Sequence, residues 1–210
     1  PALGDVGGGA GHAHRAPAVP GDHLPAREHP SPAPVGGADA VDVMVGMPFD
    51  LLWPGNIGVK LTGKLSGWAA PKDVILKVCE RLTVKGGTNR VIEYFGPGTR
   101  AISCTGKGTT TNMGAELGAT TSVFPFDKRM ADYLRATGRA EIARLAEAVR
   151  AQLGADPEVL NDPARYYDEV VEIDLSTLEP QVVGPHTPDL ARAVSRLAAD
   201  MQDKDYPPKL

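Results

Sequence analysis

Two periods of apolar residues take turns along this chain. Apolar and small or polar residues alternate at 57–63 and 169–175, and this period of two predicts β-strands; 91–95, ended by Gly96-Pro97-Gly98, and the β-branched and aromatic 120–125 add two more. Elsewhere apolar residues recur at three- and four-residue steps. That spacing predicts helices over 38–44, 71–82, 112–117, 127–138, 140–153 and 190–201. Local signals support several boundaries. Asp39 or a neighbouring glycine opens the first helix, which stops near Gly46 and Pro48. Pro71 suits a first helical position, Asp127 a cap, and Gly138 and Gly154 two helix ends. In the helix over 140–153, Ile142, Leu145, Ala146, Val149 and Leu153 form one stripe, which predicts a buried face. Strands alternating with helices predict an α/β layered fold with a parallel or mixed sheet.

Composition changes this picture mainly at the start. Pro, Gly, Ala and His fill 24 of the first 34 positions. Such a stretch buries too little apolar surface to offset its ordering entropy, so 1–34 is predicted to be disordered. His12, His14, His23 and His29 lie there; in a flexible tail they lack the fixed geometry and supporting bonds of a metal site. The whole chain has 210 residues and a net charge of -4. It lacks the clustered Lys and Arg of a nucleic-acid surface, an apolar run of the roughly 20 residues that spans a bilayer, and a signal-peptide pattern at its start. Its two cysteines, Cys79 and Cys104, argue for a reducing compartment and fall short of the thiolates that an iron–sulfur cluster takes.

Three motifs bear on chemistry. Gly96-Pro97-Gly98-Thr99-Arg100-Ala101 follows a strand and loosely matches a dinucleotide fingerprint, with Glu116 at the distance of a ribose-binding acid. Against it, 102–104 reads as extended where a helix should open, and Pro97 removes an N–H. Thr105-Gly106-Lys107-Gly108-Thr109 resembles a phosphate loop but lacks its spacer and its Ser or Thr, and reads better as a flexible glycine loop. Asn112 and Glu116 are four residues apart, so one helical face presents both, and Gly114 and Gly118 strip bulk from around them. From residue types alone, a glutamate there serves acid/base chemistry or simply faces solvent.

Several stretches, in order from Val35 to Leu190, resemble the aconitase family, closest to its mitochondrial-type branch. They include Gly36-Gly37-Ala38-Asp39-Ala40-Val41-Asp42-Val43-Met44, Ile57-Gly58-Val59-Lys60-Leu61-Thr62-Gly63, Pro71-Lys72-Asp73-Val74-Ile75-Leu76-Lys77-Val78 and Leu82-Thr83-Val84-Lys85-Gly86-Gly87-Thr88. Ile102-Ser103-Cys104-Thr105-Gly106, the run from Asn112-Met113-Gly114-Ala115-Glu116 to Val123-Phe124-Pro125, and Gly184-Pro185-His186-Thr187-Pro188-Asp189-Leu190 continue it. The resemblance implies a hydro-lyase of the cytoplasm or mitochondrial matrix. It would interconvert citrate and isocitrate through cis-aconitate at a [4Fe–4S] cluster. It also implies that Asn112 reaches the cluster environment and that Glu116 sits near the iron-bound hydroxyl or water. The expected domains are an unmatched 1–34, the end of a preceding domain at 35–53, an α/β aconitase domain at 54–174 and a truncated start of the next at 175–210.

The chain departs from the family's pattern. The Thr-Asp-Ser-His-Thr stretch expected ahead of Gly36 is absent, and residues 1–34 stand in its place, as a shifted reading frame or an unrelated junction would produce. The Gly-Ser-Cys-Thr-Asn and Cys-x-x-Cys ligand motifs are absent, and neither Cys79 nor Cys104 matches a ligand position. Thr111 replaces a Cys often found there, and the family's substrate-binding arginines and catalytic serine lie in other parts. The expectation is therefore a fragment of an aconitate hydratase that by itself holds no cluster, turns over no citrate and exposes apolar patches that make it poorly soluble. Two other readings remain at this point: a non-catalytic fragment binding RNA or a partner subunit, against which the acidic balance argues, and a dinucleotide-binding module.

Overall fold

In a computed structural model, four strands form one parallel sheet in the order β3-β2-β1-β4. The structure describes residues 41–42, 44–47, 52–184 and 186–202. The strands are β1 (Gly55–Thr62), β2 (Arg90–Phe95), β3 (Thr121–Val123) and β4 (Glu169–Asp174), and every pairing among them is parallel. Alternation sorts the side chains. Ile57, Val59, Leu61, Ile92 and Tyr94 are fully buried on the face that also takes Val171 and Ile173.

Helix α1 (Pro71–Leu82) covers that face. Its Val74, Ile75, Val78 and Cys79 are fully buried at helical spacing, each aliphatic side chain contributing on the order of 1.5–3 kcal/mol. The start of α1 is fixed by Asp73, whose Oδ2 accepts from the Ala70 N–H at 2.7 Å. Oδ1 of the same carboxylate accepts from the Gln181 N–H at 2.7 Å and so ties down the chain beyond β4. On the opposite face Phe95, Val159 and Tyr167 form a smaller cluster under α5 (Pro157–Asn161). Helices thus lie on both faces, as a parallel sheet requires.

Helix α2 (Cys104–Asn112) follows β2 through a 3-10 turn at Pro97–Ala101. Helices α3 (Lys128–Ala136) and α4 (Ala140–Ala148) pack on each other after β3. A separate antiparallel pair, β5 (Gln181–Val183) and β6 (Ala191–Ala193), precedes α6 (Leu197–Gln202).

Several expectations are corrected. The glycine-containing 105–109 segment is helical, not a loop: Ser103 is extended and caps α2, its hydroxyl accepting from the Gly106 N–H at 3.0 Å, so only Ile102 and Ser103 of the 102–104 run are extended. Gly106 is needed there because a Cβ would stand 2.6 Å from the Pro71 ring. The region 112–117 is not one α-helix: Asn112 ends α2 and Met113–Leu117 is a 3-10 turn. Helix α4 stops at Ala148, and the stripe predicted to be buried is open: Ile142, Leu145, Val149 and Leu153 are all about half exposed. The fully buried residues of the α3–α4 pair are the small Ala131 and Ala143, which let the two helices approach closely and leave the larger stripe outside. The predicted helix over 190–201 begins instead as β6, because Val182 and Arg192 pair across an antiparallel ladder. In the first predicted helix, Val41, Asp42 and Met44 are helical, and the rest of 38–44 lies outside the described residues, as does all of 1–34.

Candidate functional site

Asn112 and Glu116 lie just ahead of β3, at the edge of the sheet where strands begin. Ligands of open parallel sheets usually bind at the other edge, beyond the carboxyl ends of the strands. The helix-to-turn junction sets this placement. The last turn of α2 tightens into the 3-10 turn, which Gly118 closes in the left-handed conformation at φ +72. The Gly118 N–H donates to Ala115 O at 3.0 Å and the Ala119 N–H to Gly114 O at 3.1 Å. Gly114 is packed too closely for a side chain, since a Cβ would lie 2.5 Å from Ser122 Oγ.

The expected single helical face is therefore divided. Both side chains are exposed. Asn112 lines a depression of about 410 Å³ with Thr111, Gly114, Thr121 and Ser122. Glu116 is not among its lining residues; its charge instead reaches the buried thiol of Cys79 on α1. That thiol is pushed up to about 11, first by burial, then by Glu116 and Asp189. Ser122 was not singled out by the sequence. Its hydroxyl is buried without a hydrogen-bond partner among the described residues and opens the same depression as Asn112. The only sequence signal for it is the alternation of β3, which sets Ser122 opposite the core residue Ile92.

This is an open wall. It presents a carboxamide and a carboxylate on consecutive turns, able to orient and accept hydrogen bonds, and its concavity is too shallow to enclose a ligand as small-molecule pockets do. The rival motifs are occupied by packing. A Cβ at Gly96 would stand 2.6 Å from Leu61 O, and one at Gly98 2.8 Å from Leu61 C, so these glycines seat the 3-10 turn on the end of β1. Lys107 is 2 % exposed and its ammonium bonds Asp127, which removes it as a phosphate ligand.

A cysteine-ligated cluster does not fit the residues present. Cys79 is fully buried, with a thiol that holds its proton, and Cys104 lies on a different helix. Among the described residues no three His, Cys, Asp or Glu side chains gather as metal ligands do. No helix among them is long and apolar enough to cross a membrane.

The family model described as the aconitase family (aconitate hydratase) matches residues 33–208. The chain is 56% identical over 176 residues to the mitochondrial aconitate hydratase of Schizosaccharomyces pombe, covering 84% of this chain and 22% of that protein. It is 57% identical over 176 residues to the mitochondrial aconitate hydratase of Gracilaria gracilis, with the same coverage. To that of Saccharomyces cerevisiae it is 58% identical over 163 residues, 78% of this chain and 20% of that protein. The chain thus spans about a fifth of the length of the curated relatives it matches. With the family match extending over more than four-fifths of its residues and a parallel α/β domain beneath them, the chain belongs to the aconitase family.

Proposed function

We propose that this chain is one wall of the active site of an aconitate hydratase, which interconverts citrate and isocitrate through cis-aconitate. The wall acts when the rest of the family's polypeptide closes over it. The observation that carries the reading is the exposure of Asn112 and Glu116 on consecutive turns, in a stretch 56–58% identical to mitochondrial aconitate hydratases. In this reading the Glu116 carboxylate accepts the hydrogen bond of the hydroxyl or water that leaves and returns, and moves its proton. The Asn112 carboxamide, donor and acceptor together, orients a substrate carboxylate or hydroxyl.

The family's [4Fe–4S] cluster is held, on this reading, by cysteines outside this chain, since Cys79 and Cys104 do not fit it. The enzyme works in mitochondria, following the compartment in the names of its relatives, and a matrix location fits the family's soluble-substrate chemistry. Residues 54–174 form its α/β domain and 175–210 begin the next. The parallel sheet gives way after Pro180 to a separate antiparallel pair, while Leu175 and Leu178 still pack in the core of the α/β domain.

The test is E116Q in a full-length polypeptide carrying this stretch, with cis-aconitate followed by absorbance. A fall in kcat of about 10²–10⁴-fold, with a much smaller change in KM for citrate, is expected of a lost proton-transfer group. Wild-type kcat in E116Q would sink the reading.

A further inference from the structure

The Glu116 side chain is exposed and makes no hydrogen bond or ion pair among the described residues, so what the fold fixes is the backbone that carries it. That backbone is gripped by the loop between α1 and β2. The Gly87 N–H donates to Leu117 O at 3.0 Å, Thr88 bridges Ala119, and the Thr120 N–H donates to Arg90 O at 2.9 Å. Loop and turn are joined by main-chain hydrogen bonds, and neither Gly87 nor Gly118 has room for a Cβ. A Cβ at Gly87 would lie 2.8 Å from Leu117 O and 3.1 Å from Ala119 N; one at Gly118 would lie 2.9 Å from Thr88 Oγ1. Leu117 is itself fully buried, so the residue after Glu116 is fixed by both its side chain and its carbonyl.

The loop is preset for this contact. Thr83 opens it at φ 62 and Asn89 closes it at φ 55, left-handed values that cost a residue with a side chain. Each end is tied down. The Thr83 N–H donates to Cys79 O at 2.8 Å and the Val84 N–H to Asp189 Oδ2 at 3.3 Å. At the other end Asn89 O accepts from the Gly55 N–H at 3.0 Å. Thr187 Oγ1 bonds the second oxygen of Asp189 and orients that carboxylate. Strain persists only where its surroundings over-determine it, and here the surroundings converge on the turn bearing Glu116.

We propose that Gly87 is a positioning residue for Glu116: through the preset 83–89 loop it fixes the backbone from which the carboxylate is presented. The proposal rests on the reading of Glu116 as the site carboxylate. Asp189 supports it from the far side of the loop by holding Val84.

The experiment is carboxyl-carbon NMR of the 210-residue chain labelled at glutamate, with the Glu116 signal assigned by its loss in E116Q, alongside amide hydrogen exchange. G87A should shift the Glu116 signal and should reduce protection of the amide at position 87 by about tenfold or more. D189A adds no bulk and should produce the same changes by loosening the loop. D189N keeps an acceptor oxygen for the Val84 N–H and should restore the wild-type signal. G154A, far from the loop, serves as the control for a general effect of Gly to Ala replacement. If G87A fails to fold, the D189A and D189N pair decides. The proposal is overturned if the Glu116 signal stays put in folded G87A or D189A while stability alone falls, or if D189N behaves as D189A. Should E116Q prove silent in turnover while G87A still moves the Glu116 signal, the positioning stands and the catalytic reading falls.

Discussion

The Nζ of Lys107 lies 2.5 Å from Oδ2 of Asp127, with both residues buried and the ammonium 5.8 Å from the centre of the Phe124 ring. Asp127 has a second task, since its Oδ1 accepts from the Met130 N–H at 3.1 Å and caps α3. One carboxylate therefore joins α2 to α3 across the end of β3. Removing one partner of a buried pair leaves the other charge uncompensated, at a cost of about 3–5 kcal/mol. D127A is expected to lose that much in urea unfolding. D127N keeps the cap and should lose less, because Asn caps as well as Asp. The double variant K107M/D127N removes both charges and should recover most of the loss. If D127A unfolds at the wild-type urea midpoint, the pair contributes nothing.

Cys79 makes stability fall at alkaline pH. Its thiol, with a usual value of 9.0, is raised to about 11, by burial first and by the charges of Glu116 and Asp189 next. The folded chain therefore holds this proton more tightly than the unfolded chain does. The associated stability is fully present below about pH 9 and is lost as pH rises through about 11. C79A should flatten the stability profile across that window, whatever it costs elsewhere by leaving a small cavity. At pH 8, thiol reagents should label Cys104 and spare Cys79 in the native chain. A profile in C79A parallel to the wild type would refute the assignment.

Legibility in the sequence followed the length of the elements. The α1 helix and strands β1, β2 and β4 were readable within one or two residues, because each is long enough to show its pattern. Helix α2 was hidden. Its nine residues, Cys104–Asn112, contain two glycines, four threonines and almost no apolar residue, so nothing in its own pattern announces a helix. It exists because Ser103 caps it, Gly106 fits under Pro71 and Lys107 finds Asp127 twenty residues away. The same distance effect shaped the site. The spacing of Asn112 and Glu116 pointed to a single face, but the second turn is 3-10, and its end is held by main-chain contacts to a loop at Gly87 and Thr88 from another part of the chain.

The stripe on α4 gives an association prediction. Ile142 is 51% and Leu145 50% exposed, and Val149 and Leu153 continue the stripe on the turn beyond the helix. A contiguous apolar face of this kind promotes association of the isolated chain. I142K/L145K is expected to reduce binding of a hydrophobic dye and to lower the concentration dependence of light scattering. Stability should change by no more than about 0.5 kcal/mol, as for exposed positions generally. Unchanged dye binding, or a large loss of stability, would show that these residues are already covered.

Gly98 separates packing from ligand binding in the glycine-rich turn after β2. A dinucleotide fingerprint uses its glycines to let a pyrophosphate approach the backbone. Here the space beside Gly98 is filled by the chain itself, with a new Cβ 2.8 Å from Leu61 C and 2.9 Å from Thr62 N. Backbone at the end of a central strand cannot swing away as a side-chain tip can. G98A should therefore destabilise the fold by about 1–3 kcal/mol, the range for overpacking, as measured by urea unfolding. Equilibrium titration with NAD should detect no binding to the wild-type chain. If G98A is as stable as wild type and NAD binds to the wild type alone, the glycine serves a phosphate after all, and the close contact with Leu61 is not what it is for.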